Sequence, residues 1–260
     1  MDPNALLERF STDEVAAFFL VLGRISPLFL LAPMFSSKSI PMRVKGIVAV
    51  ALAVGLTPIV RHGHIDMDPL AYGLLMVKEI IVGLAFAYAL GAMFSALAVA
   101  GTLLDTMIGF SFGALIDPVT GNQSTVISQM YSLFGVMVFI AIDGDSWVVK
   151  GLGRTYDAVP LLQAPAIGSL THGAEVAFSG VFASAVMIAA PVLIALTIVD
   201  AAFGVVSKVV PQMNIFGVGF PAKMLVGLTL IGATLPFVSG LVYNELQNSV
   251  ALALHFLKVA

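Results

Sequence analysis

Two acidic side chains stand where an ionisable group is costly. Asp105 and Asp200 each end a long apolar run, and each opens an Asp-x-x-x-Gly pattern, DTMIG and DAAFG. A carboxylate beside an apolar helix can carry a proton in a secondary transporter. The same carboxylate can instead cap a helix or pair with a partner subunit. The residues alone leave these alternatives open.

Three further ionisable residues lie in apolar surroundings. Arg24 interrupts the first apolar run, where a charge costs about 2.5–3.5 kcal/mol on insertion scales unless it reaches water or a partner. Lys78 and Glu79 are adjacent, so on a helix they point in different directions and need not pair. We therefore expect the helices to be arranged so that each of these charges reaches water or a partner of opposite charge.

Signatures of nucleotide and metal sites are missing. The chain has no cysteine, and the His pair in HGH (62–64) has no third ligand nearby. There is no HExxH, GxxxxGK[ST] or GxGxxG pattern. We therefore expect no metal, no cofactor and no nucleotide-driven pumping.

Composition indicates the class of protein. Hydrophobic residues make up 59% of the 260 residues, charged residues only 10%, and the mean hydropathy is +1.04. An ordinary soluble domain is about 45–50% apolar and roughly 25% charged, so we expect an integral membrane protein. The net charge of −3, without a basic stripe, argues against a nucleic-acid partner.

Apolar runs predict the elements that position these residues. There are six, at about 15–35, 46–60, 80–104, 126–142, 176–199 and 224–244. None alternates with period 2, and backbone groups in lipid must be satisfied internally, so we predict an all-α membrane protein. Short runs and recurring prolines predict proline-broken helical hairpins packed against other protein. We expect one membrane domain, 1–260, without a separate soluble domain.

Two segments between the runs have unusual composition. The stretch 109–126, GFSFGALIDPVTGNQSTV, is rich in glycine and nearly uncharged, and no Lys or Arg occurs between Lys78 and Lys150. The second segment is PQMNIF (211–216). We predict that its Pro211, and Pro221 after it, interrupt the helix. Gln212 and Asn214 would then satisfy freed backbone groups or bond to a neighbouring subunit.

Four stretches, in order along the chain, resemble one family. They are GRISPLFLLAPMFSSKSIPMRVKGIVAVALA (23–53), GTLLDTMIGFSFGALIDPVTG (101–121), MVFIAIDGDSWVVKGL (137–152) and PQMNIFGVGFPAKMLVGL (211–228). Together they resemble the R subunit of the flagellar type III export gate, the FliR family. The sequence GFSFGALIDP is more similar to the flagellar branch than to the virulence branch of type III secretion.

The resemblance implies a location and partners. Such a subunit is not an enzyme. It is a channel subunit of the bacterial inner membrane, in the flagellar basal body, and it is needed for export of flagellar proteins. It assembles with P-type and Q-type subunits and with a B-type regulatory subunit. Its other partners are the unfolded exported polypeptides and membrane lipid. The alternatives are a virulence type III secretion homologue and a proton-coupled secondary transporter.

The resemblance also implies roles for named residues. In the family, the loop between the third and fourth apolar runs helps to plug the closed pore. Here that loop carries Gly109, Phe110, Phe112, Gly113, Leu115, Ile116, Asp117 and Pro118. Apolar side chains close a narrow pore by dewetting it. We expect a role in subunit assembly for Arg24, Pro41, Arg43, Pro211, Gln212, Asn214, Phe216, Pro221 and Lys223.

Overall fold

Helices account for all the regular structure in the described part of the chain. A computed structural model describes residues 12–37, 40–60, 63–65, 68–110, 126–212 and 214–257. Its helices are α1 (Thr12–Ile25), α2 (Leu28–Leu31), α3 (Pro33–Ser36), α4 (Met42–Leu56), α5 (Pro69–Ile108), α6 (Val126–Ala141), α7 (Gly144–Ala158), α8 (Ile167–Val209) and α9 (Ile215–Leu257). No strand occurs in these ranges, which confirms the all-α prediction.

Four helical segments are long and apolar enough to cross a membrane. They are Thr12–Leu31, Pro69–Ile108, Ile167–Val209 and Gly217–Leu257. A fifth span is counted if α6 and α7, which are bent by 75° at their junction, are taken together. The protein is therefore an all-α integral membrane protein. All six predicted apolar runs fall on helices, and four or five segments among the described residues are long enough to cross a membrane.

Helix α4 accounts for one difference from the six predicted runs. It has 15 residues, which at about 1.5 Å per residue span about 22 Å and fall short of a hydrocarbon core of about 30 Å. The predicted run at 46–60 is therefore apolar and helical but too short to cross a membrane. In the first run the prediction was right, because the helix is broken at Pro27, and Pro33 begins the next short helix.

Prolines inside the long helices do not break them, contrary to the prediction. Pro191 lies within α8, and Pro221 and Pro236 lie within α9. A proline removes one backbone donor, whereas ending a helix frees up to four groups at each end. Unsatisfied groups cost several kcal/mol each in lipid, so the continuous helix with one missing bond is the cheaper solution.

The chain forms two compact units. The first contains Met1–Ala92, Asp143–Ala177 and Gln247–Ala260, and the second contains Met93–Ile142 and Phe178–Leu246. The expectation of a single membrane domain over 1–260 stays a prediction.

In the first unit, α1 packs closely against α5. A Cβ added at Gly83 would collide with the backbone carbonyl of Arg24. Glycine at this position therefore lets the two helix backbones approach. Val82, Val159 and Leu257 form a fully buried cluster nearby, with Ala158 packed against it. These contacts bring α1, α5, α7 and the end of α9 together.

In the second unit, α5 packs against α6. The Ser128 hydroxyl donates to the Ala98 carbonyl at 2.9 Å, and the rings of Phe94 and Phe139 lie 5.6 Å apart. Ile108 reaches the position that a side chain at Gly227 would occupy, so α9 also contacts α5 here. This packing fixes the end of α5, where the predicted plug residues begin.

Candidate functional site

A fully buried ion pair lies at the centre of the first unit. Arg24 on α1 and Glu79 on α5 are completely inaccessible to solvent, and the Arg24 Nε donates to Glu79 Oε2. The other guanidinium nitrogens donate to the Thr155 carbonyl at 3.0 Å and to the Val159 carbonyl at 2.9 Å. The guanidinium also lies 4.0 Å from the centroid of the Tyr156 ring. Every face of the Arg24 side chain thus has a partner within the chain.

Lys78 belongs to the same cluster, although the sequence argument did not require it to pair with its neighbour. Its Nζ lies 2.6 Å from Glu79 Oε1. The same Nζ donates to the carbonyls of Pro160 and Leu161. The two adjacent residues therefore meet at their charged ends, although neighbouring positions on a helix point in different directions.

The cluster joins three helices through charge. Arg24 and Lys78 bind carbonyls at and just beyond the C-terminus of α7, where the helix dipole is negative. Glu79 balances one of the two positive charges. A buried pair of this kind is strongly destabilising when one partner is removed. Arg24 is completely inaccessible to solvent in the chain, and its predicted role in subunit assembly stays a prediction.

Asp105 caps a helix in the second unit. Its side chain is fully buried, and its two oxygens accept from the backbone N–H groups of Ile127 at 3.3 Å and Ser128 at 3.0 Å. Those groups belong to the first turn of α6, where free donors and the positive end of the dipole favour a carboxylate. Three roles were left open for Asp105, namely carrying a proton, capping a helix and pairing with a partner subunit. The geometry matches a helix cap.

The predicted plug segment begins at a glycine that ends α5. Gly109 has φ of 102° and is buried, and its N–H donates to the Asp105 carbonyl at 2.9 Å. Only glycine adopts this left-handed geometry readily, so the chain leaves the helix at this residue. Phe110 follows in the turn and is half-buried. The remaining predicted plug residues lie outside the described residues: Phe112, Gly113, Leu115, Ile116, Asp117 and Pro118.

The letters GFSFG (109–113) also have the Gly-x-Ser-x-Gly spacing of a hydrolase nucleophile elbow. That elbow is a sharp turn from a strand into a helix. Here Gly109 follows the C-terminus of a 40-residue helix, so the segment lacks the strand that would precede such an elbow.

The segment PQMNIF (211–216), the PQ motif, begins in the turn after α8 and ends in the first turn of α9. Pro211 and Gln212 are exposed in this turn, and α8 has ended at Val209. Asn214 precedes α9, and its Oδ1 accepts from the Gly217 N–H at 3.0 Å. This is an N-cap bond. Asn214 therefore satisfies a free backbone N–H at the start of α9. This was one of the two roles predicted for Asn214, the other being a bond to a neighbouring subunit.

The rest of the motif continues into α9. Phe216 lies in the first turn of α9, and Pro221 lies inside that helix without ending it. Lys223 pairs with Asp200 of α8, since its Nζ lies 2.8 Å and 2.9 Å from the two carboxylate oxygens. Asp200 is thus held by a cation in the same unit, and this ion pair ties the two long helices together below their connecting turn.

Pro41 and Arg43 lie at the start of α4. Pro41 is the residue before the helix, Arg43 is in its first turn, and both are exposed. Their predicted role in subunit assembly stays a prediction. Within the described ranges, no group of three or more His, Asp or Glu side chains is placed to hold a metal ion.

Comparison with known proteins identifies the family. The profile of the bacterial export proteins, family 1, matches residues 15–249. Flagellar biosynthetic protein FliR of Bacillus subtilis (strain 168) is 31% identical over 242 residues, covering 92% of this chain and 93% of that protein. FliR of Escherichia coli (strain K12) is 25% identical over 237 residues, covering 90% of this chain and 91% of that protein.

A relative outside the flagellar group also matches. Surface presentation of antigens protein SpaR of Shigella flexneri is 28% identical over 227 residues, covering 84% of this chain and 86% of that protein. The FliR matches cover nine-tenths of the chain, and the profile match over residues 15–249 includes most of α1 and the PQ motif. The chain belongs to the bacterial export proteins, family 1, the family of flagellar biosynthetic protein FliR.

Proposed function

We propose that this chain is the R-type subunit of a flagellar type III export apparatus, and that it forms part of the gate through which flagellar proteins leave the cell. The observation that carries the proposal is the match to flagellar biosynthetic proteins FliR over nine-tenths of both chains. The family is described by export and not by catalysis.

The membrane class supports this function. Four or five apolar segments are long enough to cross a bilayer. We place the protein in the bacterial inner membrane, within the flagellar basal body. Asp105 and Asp200 are engaged in a helix cap and an ion pair. Each carboxylate therefore has a structural partner within the chain, which supports the export-gate role over proton-coupled transport.

A strain that lacks the chain tests the function directly. We expect it to be non-motile and to release no flagellar proteins into the medium, and we expect the intact chain supplied in trans to restore both. Normal flagella in the deletion strain, with loss of another secretion activity, would support the virulence alternative that the SpaR match represents. Normal flagella with no secretion defect would overturn the proposal.

The tip of the α8–α9 hairpin is our candidate for subunit assembly. Most residues from Asp200 to Pro221 are exposed, including the apolar side chains of Val205, Val209 and Phe220. Exposed apolar side chains of a membrane protein suit either lipid or another protein, and the exposed Gln212 among them favours protein because its amide needs a hydrogen-bonding partner. We assign this tip to contacts with P-type and Q-type subunits, with the B-type regulator nearby, and the Asn214 cap keeps the tip folded.

We also propose that the loop after Gly109 plugs the closed pore. Gly109 ends α5 with a left-handed turn, and the following residues FSFGALI are apolar or small. Such a surface excludes water and ions by dewetting, and without basic charge it does not hold a passing polypeptide.

Replacing both Phe110 and Phe112 with Ser tests the plug. We expect the assembled gate to leak small molecules across the inner membrane, because the apolar constriction becomes wettable. The matched control is Phe178→Ser, at an exposed phenylalanine of α8, which should leave permeability unchanged. Unchanged permeability in the double variant, with normal assembly, would contradict the plug.

A further inference from the structure

One side of helix α7 carries an exposed surface of aromatic and charged residues. It consists of Trp147, Lys150, Arg154 and Asp157. At about 100° per residue, these four positions fall within an arc of about 80° around the helix, and we call them the α7 face. The buried residues of α7 occupy the other side and pack within the first unit. Asp145 is also exposed, but it lies about 140° from Lys150 and is not part of the α7 face.

The charges of the α7 face are not neutralised within the described part of the chain. Lys150, Arg154 and Asp157 form no ion pair or side-chain hydrogen bond there. Lys150 and Arg154 are four residues apart, a spacing at which like charges on a helix repel each other and destabilise it. The face therefore presents two neighbouring cations followed by one anion, and all three are available to a partner.

Two uncharged residues at this surface also lack a reason within the chain. Trp147, the one tryptophan in the sequence, is 38% exposed. Gly153 lies at the edge of the α7 face, and a Cβ added there would meet nothing within 4 Å, whereas one added at Gly151 on the buried side would meet Phe86 and Val250. Glycine weakens a helix interior relative to alanine. On an outer face, it lets the backbone of another helix approach closely.

The order of the charges indicates which kind of partner fits. A surface of one sign, such as a layer of anionic headgroups, would meet Asp157 as a like charge. A protein helix can place carboxylates opposite Lys150 and Arg154 and a basic side chain opposite Asp157. Tryptophan and arginine are also the residues that most often anchor protein–protein interfaces. The composition of the α7 face therefore favours a protein partner.

We propose that the α7 face docks onto an acidic helix of another subunit of the export apparatus. Carboxylates of that helix pair with Lys150 and Arg154, its backbone passes over Gly153, and Trp147 packs against its side. This assembly surface is additional to the tip of the α8–α9 hairpin. It rests on the proposed function, because that function supplies the other subunits.

Carbodiimide coupling in the isolated native complex tests the pairing. The reagent joins a lysine amine to a carboxylate that it contacts, and mass spectrometry identifies the joined peptides. We expect Lys150 to be joined to an Asp or Glu of another export subunit, with the Lys223–Asp200 pair at 2.8 Å as the internal positive control. Coupling of Lys150 only to acids of this chain, or to none while the control pair is coupled, would overturn the proposal.

Charge reversal tests whether this contact holds subunits together. The test variant carries Lys150→Glu and Arg154→Glu, and the matched control is Asp145→Lys on the same helix. All three positions are exposed, so we expect both variant chains to keep the melting temperature of the unchanged chain. The double reversal should lower the amount of other subunits co-purified per chain about tenfold or more, because it places like charges across the contact. The control should leave that amount unchanged.

A reversal in the partner completes the test. Lysine in place of the coupled carboxylates of the partner should restore co-purification with the double-reversal variant, and a lack of restoration would contradict the pairing. Undiminished co-purification of the double-reversal variant, or an equal loss in the control, would overturn the docking surface. Recovery of the unchanged chain without any other subunit would instead overturn the proposed function, so the two failures are distinguishable.

Discussion

Arg24 and Glu79 show how a buried charge can organise a membrane domain. Arg24 was singled out from sequence because it interrupts an apolar run. Its partner, 55 residues away along the chain, was not identified. The available signal was that Glu79 is also an ionisable residue beside an apolar run. Choosing between Glu79 and the other acidic residues requires the packing of α1 on α5, which no local pattern specifies.

Removing one member of this pair should destabilise the first unit. We expect Arg24→Met or Glu79→Met to lower the free energy of unfolding by about 3–5 kcal/mol, because each leaves a charge buried without its partner. The double variant should lose less than the sum of the two. Denaturant unfolding in detergent measures all three. Additive losses would contradict the coupling of the two side chains.

Asp105 offers a residue-level test of capping against proton transfer. Asparagine caps helices about as well as aspartate but cannot carry a proton. We expect Asp105→Asn to retain export but to lose part of the stability, because its amide nitrogen cannot accept the second backbone N–H. Asp105→Ala should lose more, about 1–3 kcal/mol, since both buried N–H groups are left unpaired. Thermal unfolding and secretion assays check both. Loss of export in a folded Asn variant would favour the proton role.

At the scale of elements, sequence predicts some boundaries and misses others. Pro27 and Pro33 fall between or at the start of the short helices α2 and α3, so the first run is broken at both prolines. Pro221 was expected to end a helix and does not, because the surrounding backbone bonds outweigh one missing donor. Helix α7 was not among the predicted runs, since an amphipathic helix with one buried stripe has no long apolar stretch.

Gly83 lies where the backbones of α1 and α5 approach each other closely. We expect Gly83→Ala to lower the melting temperature, because its Cβ would collide with the Arg24 carbonyl. The matched control is Gly73→Ala in the same helix, where nothing lies within 4 Å. That change should stabilise the helix by up to about 1 kcal/mol. Similar effects of the two changes would show that the approach is not tight.

The Asn214 cap should matter for the hairpin tip. We expect Asn214→Ala to weaken the start of α9 by about 1 kcal/mol and Asn214→Asp to preserve it. Hydrogen exchange of the amides at 217–219 measures the fraying. Equal protection in both variants would mean that the side-chain bond to Gly217 contributes nothing.

At the scale of the whole molecule, composition alone was enough for the membrane class and the all-α fold. The family came from four motifs in order, and the profile match over residues 15–249 confirms it. The number of spanning segments could not be counted from hydropathy, because α4 is apolar yet short and α7 is folded against its neighbours. The plug stays a prediction for all eight of its residues, of which only Gly109 and Phe110 lie within the described part of the chain.

The central claim is that this chain works as one subunit of a larger export gate. The most direct measurement is to isolate the native complex from the membrane in mild detergent and to identify and count its subunits by mass. We expect the chain to co-purify with several other integral export proteins in a complex far larger than 27.2 kDa. A chain recovered alone, or only with copies of itself, from membranes that export flagellar proteins normally would contradict the account.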